Sequence, residues 1–124
     1  MTSSEPDLLM KRAYEPARPD DGARVLVDRL WPRGVRKDEL KLTLWLKDIA
    51  PSTELREWFG HDPARFKEFA RRYREELRSN QDALAPLEQL LRSGRVTLIY
   101  AARDVDHNEA VVLADYLRER IRTG

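Results

Sequence analysis

Val96-Thr97-Leu98-Ile99-Tyr100-Ala101-Ala102 runs directly into Arg103-Asp104-Val105-Asp106-His107-Asn108, and the change between the two decides how the chain is read. The first seven residues are uncharged, mostly apolar and rich in β-formers, so they predict a buried strand. The next six are mostly polar and predict a loop. Beyond them Ala110, Leu113, Ala114, Leu117 and Ile121 keep the spacing of one buried helix face. Asp106 stands at the expected N-cap of that helix, and Glu109 follows three residues later at capping-box spacing. A buried strand that feeds a helix through a polar loop is where open α/β sheets hold their ligands.

Working outward, Val25-Leu26-Val27 with Leu30 predicts a second short strand buried on both faces. Leu8 to Tyr14 predicts a first strand, separated from it by a turn-rich loop through Pro16, Pro19 and Gly22. Lys37 to Leu42 reads as a helical turn, and Leu44, Leu46 and Ile49 as a short strand. Ser52 or Thr53 caps a helix carrying Leu55, Trp58 and Phe59, which Gly60 ends. Asp62-Pro63 starts the next helix, whose buried face is Phe66, Phe69, Ala70, Tyr73 and Leu77 and whose stop is Asn80. Leu84, Leu87, Leu90 and Leu91 mark another, kinked or restarted at Pro86 and closed by Gly94. Strands separated by helices predict an α/β fold. The expected form is a single compact domain over residues 8–124, a small, mainly parallel sheet flanked by helices in three layers. Residues 1–7 are expected to fray. Right-handed crossovers place the ends of the strands at Val25 and Val96 on one edge.

Length and composition bound the function. A chain of 124 residues makes one domain with an ordinary core. With 23 basic against 22 acidic residues, the net charge of +1 argues against a nucleic-acid footprint over the whole surface. Without cysteine there is no disulfide, no thiolate nucleophile and no cysteine-based metal site. The opening residues lack the basic and apolar regions of a secretory signal, and no apolar run could span a bilayer. The expected location is the cytoplasm, with no membrane partner.

Three polar clusters follow apolar segments: Asp28, Arg29, Trp31, Arg33 and Gly34; Trp58, Gly60, His61 and Asp62; and Arg103, Asp104, His107 and Asn108. In a parallel sheet the first and third lie side by side, and the second can reach the same rim. Arg29, Arg33 and Arg103 could grip an anion with their planar forks, or simply pair with Asp28 and Asp104 to tie loops together. His61 and His107, each beside a carboxylate, are the candidate proton-transfer residues, with Asp104 as orienting group; the bland alternative is a surface or capping histidine. Asp28, Trp31, Trp58 and Asn108 complete the candidate ligand-binding set, although tryptophans at such places more often belong to the core. No HxxxH or HxH spacing is present, so no metal site is expected, and no cofactor motif occurs. The arginines between Arg65 and Arg78 are interspersed with Glu68, Glu75 and Glu76 at helical spacing, which describes an ion-paired solvated face.

Val25-Leu26-Val27-Asp28-Arg29-Leu30-Trp31-Pro32-Arg33-Gly34, Ala50-Pro51-Ser52-Thr53-Glu54-Leu55-Arg56 leading to Trp58-Phe59-Gly60-His61-Asp62-Pro63, and Thr97-Leu98-Ile99-Tyr100-Ala101-Ala102-Arg103-Asp104 with His107-Asn108-Glu109-Ala110 together resemble the YeaO-like family, a domain of unknown function. The resemblance runs from Lys11 to Leu117. It implies a compact α/β domain of this size and supplies no established reaction. The expected function is therefore binding of, or action on, a small phosphate- or nucleotide-like anion at the strand ends. The residues leave open whether catalysis occurs, what cofactor is used and how the chain assembles. Two alternatives stand beside it: a nucleic-acid-associated regulator using the arginine-rich helix from Pro63 to Ser79, and an interaction module whose polar loops are structural.

Overall fold

The computed structural model describes residues 6–123. Four strands form one all-parallel sheet in the order β1-β4-β2-β3. They are β1 (Leu8–Arg12), β2 (Ala23–Leu26), β3 (Leu44–Trp45) and β4 (Val96–Tyr100). The central position of β4 explains its unbroken burial, since it pairs with β1 through Leu8↔Val96 and with β2 through Ala23↔Val96. Helices α2 (Thr53–Phe59), α3 (Phe66–Arg78), α4 (Gln81–Ser93) and α5 (Glu109–Thr123) pack on the face that carries Val25, Val27, Leu98 and Tyr100. The opposite face, with Leu26 and Ile99, is closed by Leu40 of the one-turn α1 (Lys37–Leu40) and by Trp31, Val35 and Trp45. The layers are thus unequal, four helices against one turn and a loop.

Local chemistry sets the helix limits. Ser52 Oγ accepts the Leu55 N–H at 3.2 Å, and Gly60 ends α2 in the left-handed region at φ 55°. Asp62 accepts the Ala64 N–H at 3.0 Å, and a 3-10 turn from Pro63 leads into α3. The Ser52 cap is also tied to α3, because its N–H and its Oγ–H donate to Glu76 at 2.8 and 2.6 Å. Ser52→Ala should therefore lose about 1–2 kcal/mol of stability, measured by urea unfolding.

Four expectations are corrected. The last helix is not capped by Asp106. Asp104 Oδ1 takes the N–H groups of Asp106 and His107 at 3.0 and 3.1 Å, and that turn delays the helix to Glu109. Asn108 is the actual cap, its Oδ1 accepting the Val111 N–H at 3.1 Å. Leu30 lies outside β2 and is 68% exposed, because the strand ends at Leu26 and Asp28 turns to bond Ala101, just past β4. Only Leu44 and Trp45 form β3, while Ile49 sits in a 3-10 turn. Pro86 does not restart a helix: α4 is continuous, and the carbonyl deprived of a partner is that of Asp82, in the exposed first turn. Of the expected tail, residues 1–5 lie outside the described residues. Asp7 is tied down, its carboxylate by Arg95 at 3.0 Å and its carbonyl by the Val96 N–H.

Candidate functional site

Because all four strands are parallel, their carboxyl ends share one edge. The loops after β2 and β4 meet there as expected, and Asp28 makes the join. Its Oδ2 accepts the Ala101 N–H at 2.9 Å, and its carbonyl accepts the Trp45 indole N–H at 2.8 Å. Its Oδ1 is buried without an N–H donor, and the adjacent Arg29 Nε is buried without an acceptor.

Facing Asp28 is Glu109, the first residue of α5. Burial, then the neighbouring Asp28 charge and its hydrogen bond, push the Glu109 carboxyl well above the usual carboxylate range. Arg56, from α2, acts in the opposite direction. Tyr73, from α3, donates to the Ile49 carbonyl at 2.7 Å. Burial, followed by the charges of Glu109, Glu76 and Asp28, raises its phenol.

At the rim, His107 Nδ1 lies 2.9 Å from Asp104 Oδ2, and its ring meets Phe66 edge-on at 5.1 Å. Asp104 is held below the usual range, chiefly by the Asp106 N–H, against some desolvation, and then by His107. With a proton on Nδ1 directed at Asp104, Nε2 is left as the acceptor, the orientation a general base requires. The second loop reaches the same rim through aromatic contacts. Phe59 lies 6.0 Å from Phe66 and 6.2 Å from the ring of His61, which is exposed and has φ 57°. No ring contact or ion pair joins His61 to His107 among the described residues. No cluster of three or more metal-ligating side chains occurs among them either.

The other expected residues are dispersed. Trp31 packs on the opposite face of the sheet, edge-on to Trp45 at 5.4 Å, and donates to the Val35 carbonyl at 2.7 Å. Trp58 turns toward α3 and the 3-10 turn before it, with the Arg72 and Arg65 guanidinium groups 4.4 and 5.4 Å from its ring centre. Asn108 is buried with both ends of its amide engaged, by the Val111 N–H and the Asp104 carbonyl. Arg33 and Arg103 are exposed, and neither guanidinium has a protein partner among the described residues. On α3, Arg71 and Arg72 pair with Glu68, Arg71 also with Glu75, and Arg74 with Glu119, so the helix presents an ion-paired face. A separate open cleft of about 660 Å³ lies between Trp45–Ile49 and Asn80–Pro86 and is lined by none of the expected residues.

Sequence reasoning missed Glu109 and Arg56. The capping-box spacing accounted for Glu109 prematurely. The signal that could have found it is position: it opens the helix after a strand whose parallel neighbour is followed, two residues past its end, by Asp28. Arg56 carries no comparable signal.

A four-stranded parallel sheet with a carboxyl pair and exposed arginines at its strand ends defines a small α/β domain with a polar carboxyl edge. The chain belongs to the family described as "Inactive DUF488-N3 subclade", which it matches over residues 7–124. It is similar to an uncharacterised protein of Mycobacterium tuberculosis, 53% identical over 109 residues that cover 88% of this chain and 92% of that one. It is also similar to the uncharacterised protein YeaO of Escherichia coli K12, 44% identical over 108 residues that cover 87% and 94%. The resemblance to the YeaO-like family drawn from the three motifs is borne out. No solved structure matches the chain. Among the described residues, no helix is long and apolar enough to cross a membrane.

Proposed function

We propose that the chain is a cytoplasmic binding domain for a small phosphate- or nucleotide-like anion, seated at the carboxyl edge of the sheet on Arg29, Arg33 and Arg103. The carrying observation is Arg29, whose Nε–H is buried without a protein acceptor. A buried, unsatisfied donor costs about 1–3 kcal/mol, and more when charged, so an anionic acceptor there is favoured. The guanidinium groups of Arg33 and Arg103, exposed and without a partner among the described residues, support the same reading, since they stand on the same loop and the neighbouring one. His107, held by Asp104, can orient the ligand or exchange a proton with it. The family's description as an inactive subclade favours binding without turnover.

A thermal-shift titration tests the reading. Inorganic phosphate or a nucleoside phosphate at a hundred times its Kd should stabilise the chain by about 2.7 kcal/mol, and Arg29→Met should abolish the shift. No shift with any of these anions at millimolar concentration, or a shift retained in Arg29→Met, would overturn it.

A further inference from the structure

Two carboxyls meeting among arginines pose a question that anion binding alone does not answer. Asp28 is anchored by the Ala101 N–H on one oxygen, while the other is buried with no N–H directed at it. The charged and titratable groups around Glu109 are Asp28 after β2, Arg56 on α2, Tyr73 on α3 and Tyr100 on β4. Tyr73 donates its O–H to the Ile49 carbonyl, and the Tyr100 oxygen accepts from Asn108. The Glu109 carboxyl is hydrogen-bonded to Asp28, and when protonated it supplies a donor to a carboxylate whose Oδ1 is buried with none from the backbone. We infer that Glu109 belongs to the anion site as a neutral acid that donates its proton to Asp28, and that loss of this proton weakens anion binding. The coupling rests on the anion reading above; the shared proton does not.

The physical consequence follows from charge. With Glu109 neutral, Asp28 alone opposes the arginines, and the edge is net positive toward a ligand. Ionisation places a second carboxylate beside the first, which repels Asp28 and the anion together and claims Arg56 as its own partner. Anion binding and proton retention at Glu109 therefore reinforce each other, as linkage requires.

The test uses sulfate, which does not titrate near neutrality, and Glu109→Gln, whose amide keeps a donor toward Asp28 but has no proton to lose. In the ligand-free chain, stability should fall as pH rises from the ordinary glutamate range through the raised value, because the unfolded chain gives up that proton first. Glu109→Gln should remove that fall, and the difference between the two stability curves reads the Glu109 proton. A carbon-13 carboxyl titration of the unaltered chain should show one glutamate titrating well above the ordinary range. Sulfate affinity, measured by calorimetry, should fall by up to roughly tenfold per pH unit above that titration in the wild type and stay level in Glu109→Gln. Equal pH slopes in the two proteins, or every carboxyl titrating within the ordinary range, overturn the shared proton. Sulfate binding with the same pH dependence in both proteins overturns the coupling and leaves the anion site standing. A shared proton without any sulfate binding overturns the coupling and the anion site together.

Discussion

Gly22→Ala should lose about 4 kcal/mol of stability, the sum of roughly 1–3 for backbone strain and 1–3 for overpacking. Gly22 has φ 68° and ψ −139°, a conformation open essentially to glycine. A methyl group there would stand 2.4 Å from the Arg95 carbonyl oxygen and 2.9 Å from the Arg95 Cβ. The Arg95 carbonyl cannot retreat without loss, because it accepts the Ala23 N–H at 2.9 Å and so sets where β2 starts against β4. The clash is backbone on backbone, and no rotamer relieves it. A fall in Tm of more than about 10 °C is the expected readout for a domain of this size. An unchanged Tm would mean that the chain enters β2 by another path.

Asp21→Ala should lose about 3–5 kcal/mol, because it strands two cations on the sheet. Asp21 and Arg24 are 6% and 4% exposed. The carboxylate takes the Arg24 guanidinium at 2.6 Å, the Lys11 ammonium at 3.2 Å and the Arg18 N–H at 3.0 Å. Removing it leaves Lys11 and Arg24 facing each other without a counter-charge. The pH dependence has a definite sign. Burial raises the Asp21 carboxyl, but the Arg18 N–H, Lys11 and Arg24 together hold it below 3.8. Its contribution is therefore present above the ordinary aspartate value and is lost as pH falls through the lowered one. Acid unfolding of the wild type, compared with Asp21→Ala by circular dichroism, reads that contribution directly. Equal acid midpoints and equal stability at neutral pH would refute it. The Asp21 contribution thus falls away as pH falls.

Much of the fold was legible because its signals are local. Ser52, Gly60, Asp62 and Pro63 act within one turn of their own position, and each stands where its chemistry placed it. The apolar spacing of α3 and α5 and the double-sided burial of β2 and β4 follow from side-chain periodicity alone. Where two local signals competed, sequence reasoning chose wrongly. Asp106 and Asn108 both fit an N-cap, and Asp104, by taking two N–H groups ahead of the helix, decided between them.

The site was legible only as a neighbourhood. Sequence order alone placed the loops after β2 and β4 together, since parallel strands with right-handed connections can end nowhere else. Which side chains meet there was decided by distances across strands. Asp28 reaches Ala101 and Glu109, 73 and 81 residues away in the chain, while Trp31 and Trp58 turn to opposite faces of the sheet. The buried Lys11–Asp21–Arg24 group likewise exists only once β1 and β2 flank β4. Periodicity and capping chemistry are short-range and can be read from the chain itself. Desolvation and charge pairing depend on what the finished fold excludes from water, and so they became defined only in three dimensions.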